Sequence, residues 1–578
     1  MCRIALGIAV VLTTAIGGFV RSAGDSVEGI VIDVSGRGVP GATVRIQATT
    51  LASTTRTDGR FRLDPADPQP SFRVTAWKEG FYVAGMEARS GANDLRIVIE
   101  RHPVTDRSDY TWVPPEINRA DVDERRIRAA LDEAARVSLR DAFLPLAEKL
   151  TLGCRDCHGG ALYREWASSA HAAGARNPIF LGMYYGTDGS GNRGPPPRKV
   201  ITRDYGALPL KPDPRAPYYG PGYKLDFPVT AGNCAACHIP GAALDDPYGI
   251  DPASVRGVDA RGTHCDFCHK VGGVQLAPDT GRPRAEMPGV LSLRVIRPGP
   301  ERQLFFGPYD DVDTGPDTFL PLMKRSEICA PCHDASFWGV PIYESFAEWQ
   351  ASPYATRGEH CQYCHMRADG RTTNFAFGRG GVERDPASIP SHAMTGAADA
   401  DLLSEAVALT VDATNEDGKL RLTVKITNDG AGHHVPTDSP LRQMILRVRA
   451  TDERGGPLEL LEGSTLPPWV GTRDGVPGHY GGQPGKVFAK VLRETWTGVE
   501  PTGAYWNPTQ VVEDSRIAAM ATDSSTYTFS ASGARDHVQV LLLFRRAFIE
   551  LAERKGWDRP DIVMARRDLV IDAAGRER

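Results

Sequence analysis

The chain has 578 residues, with 67 Lys and Arg against 72 Asp and Glu, a formal net charge of −5, and 60 Gly and 44 Pro. That length calls for about three domains. The slightly acidic balance leaves no basic footprint for nucleic acid, and the Gly and Pro content argues against a helical bundle. The chain opens Met1-Cys2-Arg3 and runs almost wholly apolar from Ile4 to Val20, then reaches small residues around Gly24. This is the pattern of an export signal over residues 1–24, with an uncleaved N-terminal anchor as the alternative. Cys2 precedes the apolar run and is misplaced for lipid attachment. No second membrane-length apolar run follows.

Residues 26–101 read as a β-sandwich. Strand-like runs stand at Glu28–Asp33, Thr43–Ile46, Phe61–Leu63, Phe72–Ala76 and Leu95–Ile99, with Gly36-Arg37-Gly38, Pro40-Gly41 and Asp58-Gly59 as turns between them. Short strands at regular spacing with turn residues between them predict two packed sheets. The string GIVIDVSGRGVPGATVRI, followed by TTRTDGRFRL, resembles a carboxypeptidase regulatory-like domain. The resemblance implies a spacer or docking module without a catalytic constellation. Residues 102–120 read as a polar, Pro-bearing linker. Asp121 to Leu150 then has helical spacing, with Ile127, Leu131, Ala134, Val137 and Leu144 on one side.

The region 121–400 is expected to be loop-rich and helical, and it carries five copies of Cys-x-x-Cys-His. These are Cys154-Cys157-His158, Cys234-Cys237-His238, Cys265-Cys268-His269, Cys329-Cys332-His333 and Cys361-Cys364-His365. They use ten of the 11 cysteines. The motif attaches c-type haem: two thiols form thioethers, and the adjacent histidine ligates the iron from the face they fix. A disulfide framework has no need of a histidine after every second cysteine. Zinc sites gather four ligands from paired units, whereas each unit here has its own histidine. Five covalent haem c groups are therefore expected. Their ionised propionates would add about ten negative charges.

The core contains a duplication. Cys234-Ala-Ala-Cys237-His238 is followed by Arg261-Gly-Thr-His264 and its motif. Cys329-Ala-Pro-Cys332-His333 is followed at a similar distance by Arg357-Gly-Glu-His360 and its motif. A weaker echo links Glu165-Trp166-Ala-Ser-Ser-Ala-His171 with Glu348-Trp349-Gln-Ala-Ser-Pro-Tyr354.

Residues 401–578 turn β again and read as a second sandwich-like domain. Strands are expected from Val407, from Leu420, from Met444, over His537–Phe544 and over Ile562–Ile571. Asp417-Gly418 is a hairpin turn, Phe548–Lys555 a short helix, and Leu466–Asp514 a long irregular insertion.

The sixth ligand of each haem separates a wire from an enzyme. Nine histidines lie outside the motifs. Five are selected as distal ligands: His171, His264, His360, His392 and His433, the last in preference to its neighbour His434. His264 and His360 each precede their own motif and would cap the preceding haem of a pair. The segments EWASSAHA, HCDFCHK, EWQASPYATRGEHCQYCHM, SHAMTG and NDGAGHHVPTD resemble exported bacterial multihaem cytochromes c, the group of cytochrome c554/c-prime-like proteins. That resemblance implies distal roles for His171, His392 and one of His433 and His434. Tyr354 departs from it by standing where the repeat has a histidine, so the haem there takes its ligand from elsewhere or has a less filled distal face. The preferred reading is an exported pentahaem electron carrier with bis-histidine haems, located in the periplasm or at the cell surface. Its partners would be redox proteins or extracellular acceptors. The alternatives are an oxidoreductase acting on a small nitrogen or sulfur compound at one open haem, and a haem-bearing surface or filament protein built from further copies of the chain.

Overall fold

The computed structural model describes residues 26–67, 70–116, 153–377 and 381–577. The expected export signal and the helix expected over Asp121–Leu150 lie outside these residues. The chain is multidomain and mostly β, with few helices. Among the described residues no helix is long and apolar enough to cross a membrane.

Two compact units are present. The first joins the N-terminal residues up to His102 with Tyr309–Phe319. It contains β1 (Val27–Asp33), β2 (Thr43–Ile46), β3 (Ala52–Thr54), β4 (Arg60–Leu63), β5 (Phe72–Trp77), β6 (Ala84–Ala88) and β7 (Leu95–Ile99). One sheet has the order β4-β1-β7 and the other β3-β2-β5-β6. Strands β1 and β7 run parallel and β1 and β4 antiparallel. Alternate residues Val44, Ile46, Phe61, Leu63, Val74, Leu95, Ile97 and Ile99 enclose one core. The period of two puts every second side chain on that face. The expected strands are all present. Strands β3 and β6 were not expected, because Ala52-Ser-Thr and Ala84-Gly-Met-Glu-Ala lack β-branched or aromatic alternation. The segment from Tyr309 is bound to this unit by acidic side chains: Arg45 meets Asp310 at 2.8 Å and Arg73 meets Asp313 at 2.6 Å.

The second unit holds all five Cys-x-x-Cys-His motifs and the C-terminal β region together. Residues 103–116 do not hang free as the expected linker. Asp106 pairs with the buried Arg297 at 2.6 Å, and Tyr110 donates to Asp266 at 2.8 Å.

A helical core is not supported. Its helices are mostly single turns, such as Ala235–His238, Cys265–Cys268, Ala330–His333 and Cys361–His365. The longest, Cys154–Ser168, is broken at Gly159, whose φ of 70° lies in the left-handed region. The reason is local. Each motif fixes one turn, and Gly, Pro or loop residues soon follow.

The C-terminal strands are β8 (Ala408–Glu416), β9 (Lys419–Thr427), β10 (Gln443–Thr451), β11 (Leu460–Glu462), β12 (Gly485–Phe488), β13 (Lys490–Glu494), β14 (Thr509–Asp514), β15 (Thr522–Ser530), β16 (Asp536–Arg545) and β17 (Ile562–Ile571). They form sheets β8-β9-β15-β11 and β12-β10-β16-β17, with β13 and β14 as a separate ribbon. Leu420, Leu422, Val424, Ile426, Tyr527 and Phe529 of one sheet share a core with Met444, Leu446, Val448, Val540 and Leu542 of the other. Burying each of these side chains contributes about 1.5–3 kcal/mol. The β8–β9 hairpin turns at Asp417 and Gly418, both with positive φ, as a two-residue loop of this kind requires. The expected insertion over Leu466–Asp514 is not irregular throughout, because β12, β13 and β14 lie inside it. Strand β15, central in its sheet, was missed. Its apolar residues Tyr527 and Phe529 come only at the end of a Thr- and Ser-rich run.

Candidate haem-binding site

Each motif is built as one helical turn. The amide of the motif histidine donates to the carbonyl of the first cysteine at 3.1 Å in His238, His269 and His333. This i to i+4 bond places both thiols and the imidazole on one side. All ten motif cysteines are half-buried and stand outside any disulfide. Burial pushes the thiols of Cys234 and Cys268 up to about 12.

The motif histidines present their rings in a common way. The Nδ1 of His158 lies 2.9 Å from the carbonyl of Phe375, that of His269 2.6 Å from Phe306, and that of His365 2.6 Å from Thr395. In His333 the partner is a carboxylate, Asp438 Oδ2, at 2.9 Å. An Nδ1–H held this way fixes the tautomer that leaves Nε2 free to ligate. His238 is set differently, with Phe180 stacked flat on its ring at 3.9 Å.

Three motif rings face a histidine from outside the motifs. Ring centres are 6.4 Å apart for His333 and His171, 6.5 Å for His269 and His392, and 6.2 Å for His365 and His433. A metal–nitrogen bond of about 2.0 Å on each side, plus roughly 1.15 Å from nitrogen to ring centre, separates two axial imidazoles by about 6.3 Å. The pairs therefore fit a six-coordinate haem iron. Among the described residues no group of three or more His, Cys, Asp and Glu is arranged to hold a bare metal ion. A macrocycle supplies its own four equatorial donors, so two axial rings suffice. Burial pushes His171, His269 and His392 down to about 4, which keeps them neutral and able to ligate. No second imidazole faces His158 or His238 in this way among the described residues.

His264 and His360 are placed otherwise than expected. The Nδ1 of His264 accepts the amide of Phe267 at 3.2 Å and caps the turn Cys265–Cys268. The Nδ1 of His360 accepts the amide of Ser326 at 3.2 Å. Each ring thus meets the backbone beside a motif through Nδ1, and the Nε2 of His264 is buried with no hydrogen-bond partner among the described residues.

Motifs distant in sequence touch through their thiols. Cys154 contacts Cys265, Cys237 contacts Cys332, and Cys329 contacts Cys361. The motif at Cys329 thus touches two others.

Second-layer residues escaped the sequence reading. Glu165 accepts the amide of His392 at 2.8 Å, and Glu348 accepts the amide of His434 at 3.1 Å. Glu348 is also held by Arg516 at 2.5 Å and by Thr437. Burial opposes its charge, yet these partners hold its carboxyl down at about 2. The Glu-Trp echo was the signal that could have found both glutamates. Asp438 follows directly on the Gly-His-His-Val-Pro-Thr segment and could have been found there.

No curated protein matches the chain. Among solved structures it is similar to a penta-heme cytochrome c552 from Thermochromatium tepidum, at 19% identity over 72% of this chain and 97% of that chain, with a TM-score of 0.49. A cohesin–X-dockerin complex from Acetivibrio cellulolyticus aligns at 14% identity over 23% of this chain and 99% of that one, with a TM-score of 0.13. Residues 26–94 match the family of carboxypeptidase regulatory-like domains, and this N-terminal segment is such a domain.

Proposed function

We propose that the chain is an exported c-type cytochrome that carries five covalent haems and passes single electrons between redox partners. The observation that carries this reading is the set of three imidazole pairs, each joining a motif histidine to a non-motif histidine at the separation an axial iron requires. Haem c, when bound, supplies one-electron iron chemistry. The chain's residues do the rest. Ten thiols would tether the groups, five motif histidines would ligate them, and His171, His392 and His433 would supply a second ligand at three of them.

Motif rings held through Nδ1, as in His158, His269, His333 and His365, and the His392 and His434 amides held by Glu165 and Glu348, would keep the three facing pairs in place, which suits electron transfer at those three sites. The thiol contacts support two groups of adjacent motifs, Cys154 with Cys265, and Cys329 with both Cys361 and Cys234. Export is supported by the leader and by the carboxypeptidase regulatory-like domain. The partners proposed are redox proteins or extracellular acceptors.

The test is expression with a competent haem-attachment system, then acid–acetone extraction and a pyridine haemochrome assay. Five haems per chain are expected to stay bound. Three or fewer would overturn the reading.

A further inference from the structure

Four motif histidines have an Nδ1 partner. Three of these partners are backbone carbonyls, those of Phe375, Phe306 and Thr395. Among the described residues only His333 is paired with a carboxylate, Asp438, at 2.9 Å. Asp438 is itself buried and is fixed by a second residue: its Oδ1 accepts from Ser345 Oγ at 2.7 Å and from the Ser345 amide at 3.2 Å. Its backbone takes φ 57°, a left-handed conformation that Asp tolerates better than most residues.

We propose that Asp438 is a positioning residue that loads the His333 imidazole with negative charge and makes the haem tethered by Cys329 and Cys332 harder to reduce than the other two bis-histidine haems. The proposal rests on the haem reading above. Its physical cause is general. A hydrogen bond to an ionised acceptor is about twice as strong as one to a neutral carbonyl. It moves the Nδ1 proton toward the carboxylate, so the ring becomes a stronger donor and favours the ferric state. The location gives the effect a consequence. This motif touches the motifs at Cys234 and Cys361. A low potential there sets a step at the junction of the chain.

A spectroscopic label identifies the haem concerned. The rings of His171 and His333 are crossed at 74°, whereas the other two pairs are nearly parallel at 19° and 14°. Crossed axial planes give a strongly anisotropic low-spin signal, and parallel planes a rhombic one. The test is a potentiometric titration of the five-haem protein followed by electron paramagnetic resonance. In Asp438→Asn the anisotropic signal should become easier to reduce by at least tenfold in equilibrium constant, about 59 mV for one electron. Ser345→Ala removes a donor from the carboxylate and should move the same signal the opposite way.

An unchanged anisotropic signal in Asp438→Asn with five haems attached would overturn the proposal, as would a shift confined to a rhombic signal. Should Asp438→Asn load fewer haems, Ser345→Ala decides alone: a downward shift supports the proposal and none overturns it. Failure of the unmutated chain to bind haem would overturn the haem reading instead, so the two failures are distinguishable.

Discussion

The two halves of the duplicated core share one scaffold and differ in what closes it. In the first half Trp166 Nε1 donates to the carbonyl of Thr263 at 2.9 Å, and in the second Trp349 Nε1 donates to Glu359 at 2.8 Å. Each acceptor directly precedes the histidine that buttresses a motif. Glu165 and Glu348, each one residue before its Trp, hold the loops of His392 and His433-His434. Yet the first loop belongs to the core, whereas the second comes from the C-terminal β region. The second half is therefore completed by another part of the chain, and it is there that a buried ion pair, Glu348 with Arg516, has been added. A duplicated site can keep its geometry while its ligand is recruited from a different element.

The strongest way to break this equivalence is to remove the facing rings. His392→Ala and His433→Ala should each convert one low-spin haem to high spin and admit one equivalent of carbon monoxide on reduction. Equal spectral losses from a core loop and a sandwich loop would sharpen the comparison. A silent His433→Ala, with a response from His434→Ala instead, would break it.

The two glutamates should then separate the halves. Glu348→Ala strands the buried Arg516 and should cost about 3–5 kcal/mol, as breaking a buried pair does. Glu165→Ala loses a charge-assisted bond to one amide and should cost roughly 1.5–3 kcal/mol. Thermal unfolding of the five-haem protein measures both, and equal costs would deny the second half its added lock.

Much of this was legible in the chain. The motifs and the duplication stood out because their residue types recur at fixed spacing, and His171, His392 and the His433-His434 pair because the segments around them resemble those of multihaem cytochromes c. Strands such as Leu95–Ile99 and Ile562–Ile571 were readable from alternation. For His264 and His360, adjacency to a motif has two physical outcomes. The choice depends on which amide the Nδ1 meets, Phe267 or Ser326, and spacing does not encode that. Glu348, Arg516 and Asp438 were hidden because their partners lie far away in sequence. Strand β15 was hidden because a central strand gains its stability from neighbours on both sides, not from its own apolar content.

His264→Ala and His360→Ala test that correction. Each should leave every haem signal in place and cost about 1 kcal/mol, the value of a lost capping interaction. A change of spin state in either variant would restore that histidine as a ligand.

The smallest effect is expected at the position where the halves differ most in sequence. His171 of the first half faces His333, but its counterpart Tyr354 is buried and donates to the carbonyl of Asp429 at 2.5 Å, on the segment leading to His433. Tyr354 thus supports the loop that carries His433, and the rings of His333 and His365 have those of His171 and His433 opposite them. Tyr354→Phe keeps the ring's packing and loses one hydrogen bond, at about 1 kcal/mol. All spin states should stay as they are, and carbon monoxide uptake should not rise. A new high-spin signal in Tyr354→Phe would mean that the hydroxyl positions His433, and that the tyrosine reaches the iron through this loop after all.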